Sequence, residues 1–189
     1  MELISKVDSD GVKWLVHGRL HRLDGPAIIR ADGTQFWYVN DQLHRTDGPA
    51  YIGPDGGQEW YENGRLHRLD GPAVIRADGS QEWFVRGQRH RLGRPAVIGA
   101  EGTQKWYVND QRHRTDGPAW IWADGGQEWY ENGRLHRLDG PAVIRADGTQ
   151  EWYVNDQDIT EQVLSWMTTQ GVACPWDDQT QMQFLLTWG

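Results

Sequence analysis

Apolar and aromatic residues follow each other along most of this chain in short runs separated by glycine-containing turns, without helical spacing. In the stretch 60–82, the dipeptides Asn63-Gly64 and Asp78-Gly79 each suit a two-residue type I′ turn, in which both central residues need a positive φ. Between them, Pro72 ends any strand because proline has no N–H to donate to a neighbouring strand. The pattern predicts a meander of short antiparallel strands.

This stretch is one of six copies of a 23-residue unit that follow each other without insertion or deletion over residues 14–151. Each copy, and a partial seventh, begins with a tryptophan: Trp14, Trp37, Trp60, Trp83, Trp106, Trp129 and Trp152. A repeat of this length is typical of proteins that stack one supersecondary unit on the next. The sequence therefore predicts an all-β repeat fold, an elongated twisted antiparallel sheet of stacked hairpin units.

A two-residue loop at each Asn-Gly or Asn-Asp pair would fix the register of the hairpin around it. Tyr38 would then face Leu43. Two positions further out, the same count sets a glutamate opposite an arginine in three copies: Glu59 and Arg68, Glu82 and Arg91, Glu128 and Arg137. It also sets Lys105 opposite Arg114, where like charges would meet. Most arginines are therefore expected to be cross-strand partners.

Irregular units are expected at both ends, because the terminal units of a stack must cover open sheet edges. Residues 1–13 are predicted to form an atypical capping hairpin, and residues 152–189 a partial repeat with an acidic helical cap. In that cap, Asp158 suits the start of a helix and Gly171 its end. A second helix is expected from about Asp177. The residues expected to face inward from it are Met182, Leu185 and Leu186.

The formal net charge is −8, and it is unevenly distributed. All 19 lysines and arginines precede residue 151, whereas the last 39 residues carry six acids and no base. A nearly balanced repeat region with an acidic end does not suit nucleic-acid binding, which needs a positive footprint. We expect no nucleic-acid partner.

Targeting and redox signals are weak in this sequence. Cys174 is the only cysteine, so no intramolecular disulfide can form. The first seven residues do not resemble a signal peptide, and no stretch approaches the roughly 20 apolar residues that span a bilayer. We expect a cytoplasmic protein without a membrane partner.

The repeated histidines and charged residues are interpreted as architectural. A zinc site needs three or four converging ligands, whereas each copy supplies one histidine and no second ligand at a fitting spacing. The chain also has no nucleophile with a paired histidine and acid, and no glycine loop that would cradle a phosphate. We therefore expect no metal, no cofactor and no enzymatic activity.

Differences between the copies are more informative than their similarities, because a block of three units has been duplicated. Residues 55–79 are identical to residues 124–148. Trp120 and Trp122 stand where other copies carry mostly aliphatic residues, glycine or arginine, and these two residue types, Trp and Arg, are common at interface hot spots. The predicted binding patch consists of Trp120, Trp122, Arg89, Arg94 and Arg112. The alternative is that the two tryptophans fill a local packing gap.

The segment Trp60 to Ala73, with its Trp-Tyr-x-Asn-Gly-x-x-His-Arg-x-Asp-Gly-Pro-Ala pattern, resembles the MORN repeat in its period and its aromatic residue before a turn glycine. The resemblance covers about residues 14–157 and departs after the histidine, where arginine replaces the usual glycine. It is also similar to repeats in phage and large-virus proteins, which implies a phage origin. MORN-like proteins are single sheets of hairpins, mostly scaffolds, with lipid binding proposed for some.

These observations predict a non-enzymatic scaffold that binds a protein partner, such as a phage-encoded inhibitor of a host protein. A single layer of hairpins leaves aromatic side chains on at least one face, which favours partner binding or a homo-oligomer. One alternative is a receptor or sponge for nucleotides or other phosphorylated ligands, bound through an arginine-lined face. A second is an antitoxin-like or purely structural self-associating scaffold.

Overall fold

The computed structural model describes residues 4–189, which form two compact units. One unit contains the described residues up to His90 together with Ala96–Ala100, and the other contains Arg91–Pro95 and Glu101–Gly189. Both consist of short antiparallel strands, and the second ends in two helices. The predicted all-β repeat fold with a helical C-terminal cap is confirmed.

Within the first unit, sheet strands that follow each other in the sequence pair with each other. Its sheet strands are Ile4–Asp8, Gly11–Val16, Ile28–Arg30, Gln35–Phe36, Tyr51–Ile52, Gln58–Glu59, Val74–Ile75, Gln81–Glu82 and Val97–Ile98. Most contain only two residues because a turn or a proline interrupts each run.

The second unit contains a meander of the same kind. Its sheet strands are Gln104–Lys105, Trp120–Ile121, Gln127–Glu128, Val143–Ile144 and Gln150–Glu151.

From the second copy onward, the tryptophan that begins each copy marks the point where the chain leaves the sheet and forms a small tip hairpin. The tip hairpins are Tyr38–Val39 with Gln42–Leu43, Tyr61–Glu62 with Arg65–Leu66, Phe84–Val85 with Gln88–Arg89, Tyr107–Val108 with Gln111–Arg112, Tyr130–Glu131 with Arg134–Leu135, and Tyr153–Val154 with Gln157–Asp158; Arg19–Leu20 pairs with the end of Gly11–Val16. Within each unit, successive tips are joined by hydrogen bonds, as where Gly64 N donates to Leu43 O at 2.8 Å. The tips therefore add a second ladder of contacts between neighbouring copies.

The two kinds of glycine turn differ. At the tips, Asn63 and Gly64 both have positive φ, at 50° and 76°, so the predicted type I′ turn fits. The type I′ prediction is wrong at Asp78-Gly79, where only the glycine has a positive φ. There, Gly79 N and Arg76 N bond to Arg76 O and Ser80 O, which makes a three-residue loop with a glycine bulge. The side chain of Asp78 stabilises this loop by accepting from Ser80 N at 2.8 Å.

The hairpin register is confirmed at the tips, but the predicted glutamate–arginine pairs are wrong. Tyr38 faces Leu43 as expected. Beyond the tryptophan, however, the two strands separate, and Trp60 N bonds to Ala73 O in the sheet. The glutamates consequently face residues of neighbouring sheet strands: Glu59 faces Tyr51 and Val74, Glu82 faces Val74 and Val97, and Glu128 faces Trp120 and Val143. Lys105 faces Trp120 and not Arg114, so the expected like-charge contact does not arise.

The alanine of each copy is the best-buried repeated position. The six alanines are fully buried: Ala27, Ala50, Ala73, Ala96, Ala119 and Ala142. The repeated histidines and second isoleucines are only half-buried, and so are most of the tryptophans, which departs from the expected packed interior. A thin sheet offers two solvent-facing sides, so only a small residue between neighbouring strands can be enclosed completely.

The ends of the described chain differ from the repeats. Ile4–Asp8 and Gly11–Val16 form a hairpin in the predicted N-terminal region, while residues 1–3 of the predicted 1–13 hairpin lie outside the described residues. Helix α1 (Thr160–Gln170) ends at Gly171, whose φ is 66°, as predicted. It begins after Ile159 and not at Asp158, which is in a strand and accepts from Thr160 N.

Helix α2 (Asp178–Trp188) begins after Asp177, as predicted, and Asp177 accepts a hydrogen bond from Thr180 N. The predicted inward face of this helix is wrong, because Met182 and Leu186 are exposed and Phe184 is fully buried. Phe184 packs with Trp152, Ile159 and Val163 in the core between the helices and the last repeat. Here the helices cover the last tryptophan of the repeat series.

Candidate binding surface around Trp122

In five copies a histidine takes part in the contact between neighbouring tips. Asn63 N donates to His44 Nδ1 at 3.1 Å, and Arg86 N donates to His67 Nδ1 at 3.0 Å. Because Nδ1 accepts, the ring proton of these histidines is on Nε2. Among residues 4–189, no group of three or more His, Cys, Asp or Glu side chains is placed to hold a metal ion.

The arginine after each histidine also has an architectural position. In five copies its guanidinium carbon lies 3.9–4.2 Å from the centroid of the tryptophan ring that starts the copy: Arg22 over Trp14, Arg45 over Trp37, Arg68 over Trp60, Arg114 over Trp106 and Arg137 over Trp129. Each Nε donates to the aspartate two residues later at 2.6–2.9 Å. These arginines therefore bind within their own copy and do not form an open arginine face.

The structure places Arg89 and Arg94 in surroundings unlike those of the predicted tryptophans. Arg89 Nε donates to Glu82 Oε2 at 2.9 Å, and its guanidinium lies 5.1 Å from the centroid of Phe84. Arg94 is exposed, and burial together with the charge of Arg94 lowers the pKa of Arg91. The two residues belong to different compact units.

Three of the predicted residues come together in the second unit. The rings of Trp120 and Trp122 stack with centroids 3.9 Å apart and planes 19° from parallel. Two cations lie over Trp120: the guanidinium of Arg112 at 4.2 Å and Lys105 Nζ at 4.3 Å from its centroid. Arg112 is itself held by the hydroxyls of Tyr107 and Tyr130, at 3.3 and 3.1 Å. Trp120 is thus enclosed by side chains of its own unit, namely Trp122, Arg112 and Lys105.

Trp122 lies at the solvent-facing side of this cluster. It is 39% exposed, which makes it one of the large apolar side chains open to solvent. Its Nε1 donates to Glu128 Oε1 at 3.2 Å, and Glu128 Oε2 accepts from Tyr130 at 2.8 Å. The stack on Trp120 and this hydrogen bond together hold the indole in one orientation.

Trp122 borders a surface cleft of about 410 Å³. Carboxylates line much of it: those of Asp124, Glu128 and Asp147. The lining also includes Arg145, whose guanidinium lies 2.7 Å from Glu151 Oε1. Trp122 could be identified from the sequence but these acids could not, because the same acids occur in the identical segment 55–79 and do not differ between the copies.

The duplicated segment supplies an internal comparison for this cleft. Every lining residue except Trp122 has an identical counterpart 69 positions earlier, and the counterpart of Trp122 is Gly53. The turn closes in the same way in both copies, since Gly53 N and Trp122 N bond to Gly57 O and Gly126 O at 2.8 and 2.9 Å. The indole therefore changes the surface without changing the backbone hydrogen bonds of the turn.

Neither a protein-family model nor a curated protein gives a match to this chain. The resemblance to MORN repeats and the phage origin that the motif implies stay predictions. None of the helices formed by residues 4–189 has the length and apolar character needed to cross a bilayer.

Proposed function

We propose that this chain is a non-enzymatic repeat scaffold that binds a protein partner through the surface around Trp122. The observation that supports this proposal is the exchange of Gly53 for Trp122, two residues before a run of 25 residues that is identical in the two copies. A solvent-exposed, oriented tryptophan beside a cleft is the kind of residue that contributes most to binding at protein interfaces.

The alternative explanation, that Trp122 fills a packing gap, has less support. The turn at Gly53 makes the same backbone hydrogen bonds without an indole. Trp122 also keeps 39% of its surface in solvent, whereas a gap-filling residue would be enclosed. Trp120, with Arg112 and Lys105 over its ring, fits the gap-filling explanation better.

The nucleotide-sponge alternative depended on a row of arginines that are free to bind phosphates. In five copies the guanidinium already stacks on tryptophan and donates to an aspartate, so a phosphate would have to compete with an intramolecular carboxylate. No comparable observation favours the self-associating scaffold. Protein binding is therefore the function that these observations favour, and a nucleotide serves as the comparison ligand in the test.

Selection of peptides from a randomised display library on the immobilised chain tests the proposal directly. The matched control is Trp122→Gly, which gives this cleft the residue that its counterpart already has at Gly53. We expect selected peptides to bind the natural chain and to bind Trp122→Gly at least about tenfold more weakly, a loss of about 1.4 kcal/mol. The melting temperatures of the two chains should be nearly equal.

Two results would contradict the proposal. Peptides that bind Trp122→Gly as tightly as the natural chain would place the contact surface elsewhere, and a library without any binder would argue against a peptide-binding cleft. A large drop in the melting temperature of Trp122→Gly would instead support the packing explanation. A rise in melting temperature with a mononucleotide, unaffected by Trp122→Gly, would favour the nucleotide alternative.

A further inference from the structure

The cleft beside Trp122 has a negative lining. Asp124, Glu128 and Asp147 contribute three carboxylates, and the guanidinium of Arg145 is already paired with Glu151. The turns use one oxygen of each aspartate, since Asp124 Oδ1 accepts from Gly126 N at 3.0 Å and Asp147 Oδ1 accepts from Thr149 N at 2.9 Å. The N–H and hydroxyl of Thr149 also hold the pKa of Asp147 below its ordinary value. The cleft therefore suits a cationic group.

An aromatic wall accompanies these acids. One face of Trp122 stacks on Trp120, and the side chain remains 39% exposed at the cleft. Because Glu128 accepts from its Nε1, the indole is fixed before any ligand arrives. An oriented indole next to carboxylates attracts cations both through its ring and through the neighbouring negative charge.

The chain itself shows which cation such an arrangement holds. In five copies an arginine guanidinium lies flat against a tryptophan, 3.9–4.2 Å from the ring centroid, while its Nε donates to an aspartate. A planar guanidinium can stack on a ring and bind a carboxylate together, whereas a lysine ammonium is a compact point charge. The Trp122 cleft presents the same two groups, an indole and aspartate carboxylates, to solvent.

We propose that the Trp122 cleft binds an arginine side chain of the protein partner, with the guanidinium stacked on Trp122 and paired with Asp124 or Asp147. This inference rests on the proposed function and specifies the chemistry of the partner. The cleft would prefer arginine because the Trp122 ring and the aspartate carboxylates contact the guanidinium together. The counterpart around Gly53 keeps the aspartates and lacks the indole, so it should bind a guanidinium less well.

Nuclear magnetic resonance titration of the full chain tests the inference with defined probes. The probes are acetyl-Gly-Arg-Gly-amide and the same peptide with citrulline, which keeps the shape of arginine and removes its charge. The Trp122 indole N–H signal, assigned by its disappearance in Trp122→Gly, reports on the cleft. We expect the arginine peptide to shift this signal and to bind at least about fivefold more tightly than the citrulline peptide, an advantage that falls with added salt.

Two variants separate the contributions. Trp122→Gly should abolish the shifts of the remaining cleft residues, while signals outside the cleft show that the fold is kept. The double variant Asp124→Asn/Asp147→Asn should weaken the arginine peptide at least about fivefold and leave the affinity for the citrulline peptide unchanged. Both substitutions retain an amide oxygen that can accept the turn hydrogen bonds.

Equal affinity for the two peptides, or no shift of the Trp122 signal by the arginine peptide, would overturn the inference. In that case, library peptides that bind through Trp122 without arginine would leave the proposed function in place. If the library also yields no Trp122-dependent peptide, both proposals fail. Preference for an acidic peptide would show that the cations over Trp120, and not the carboxylates, determine the partner.

Discussion

Glu82 shows how a charged residue is accommodated in this thin sheet. It is 5% exposed, and its two carboxylate oxygens accept from Arg76 and Arg89. Burial alone would raise its pKa, but the hydrogen bonds and charges of the two arginines outweigh burial and hold the pKa below its ordinary value. Arg89, part of the predicted binding patch, therefore has a structural partner.

Replacing Glu82 by glutamine should lower the free energy of unfolding by about 1–2 kcal/mol, since one of the two arginines loses a charged acceptor. The matched control is Glu151→Gln. Glu151 pairs with Arg145 and is more exposed, with 21% of its side chain in solvent against 7% for Glu82. That control should lose less than about 1 kcal/mol. Urea unfolding measures both, and equal losses would contradict the role assigned to Glu82.

For individual residues, the register of the tip hairpins could be predicted from the sequence, whereas the partners of the charged side chains could not. The register followed from the local rule for a two-residue loop, as at Tyr38 and Leu43. The partner of Arg68 depended on where the strands separate, at Trp60, and no local pattern indicates that point. The arginine stacks on the tryptophan of its own copy and pairs with Asp70.

Among the elements, the turn of the fourth copy departs most from the others. In the other copies a glycine precedes the proline, and an added Cβ there would meet the arginine side chain at 2.9–3.2 Å. The fourth copy has Arg94 at this position and Gly93, with a φ of 67°, in place of the aspartate. Arg91 still donates to Pro95 O at 3.1 Å, but the charge of Arg94 opposes its own. The fourth turn is thus less favourable than its counterparts.

Restoring the common sequence with Gly93→Asp/Arg94→Gly should stabilise the chain by about 0.5–1 kcal/mol. The double variant restores the aspartate that accepts from the arginine in the other copies, and it removes the charge of Arg94. Arg94→Gly alone removes only the repulsion and should gain less. Differential scanning calorimetry measures both changes, and a lower melting temperature for the double variant would show that Arg94 has a stabilising contact.

On the scale of the whole molecule, the candidate site could be located from the sequence only in part, because the cleft combines residues from two neighbouring copies. Trp122 was identifiable because it differs from its counterpart Gly53 just before two identical segments, 55–79 and 124–148. The carboxylates of Asp124 and Asp147 were not, since they come from neighbouring sheet turns that are 23 positions apart and look identical in both copies. Arg89 and Arg94 belong to the predicted patch because arginine is common at interfaces. In the structure, however, Arg89 pairs with Glu82, and neither arginine lines the cleft beside Trp122.

Because the same bonds recur in copy after copy, the pH dependence of stability should also accumulate along the chain. Arginine hydrogen bonds lower the pKa of four aspartates: Asp24, Asp47, Asp70 and Asp116. Hydrogen bonds from a serine or threonine lower the pKa of four more: Asp32, Asp78, Asp158 and Asp177. A carboxyl group with a lowered pKa in the folded state stabilises the fold above its unfolded pKa, and this contribution disappears as the pH falls through the folded value.

We therefore expect a nearly constant melting temperature above about pH 5 and a steep, continuous fall below about pH 4, where the unfolded aspartates begin to bind protons. The double variant Asp47→Asn/Asp70→Asn removes two of the lowered groups. It should be less stable than the natural chain at neutral pH, and the difference should shrink as the pH falls through the lowered folded-state pKa values of Asp47 and Asp70, where the carboxylate charge is lost in both folded and unfolded chains. Thermal unfolding followed by circular dichroism from acid to neutral pH measures this convergence. Parallel curves that keep their separation down to the lowest pH would contradict it, because the loss at neutral pH would then come from packing and not from the carboxylate charge.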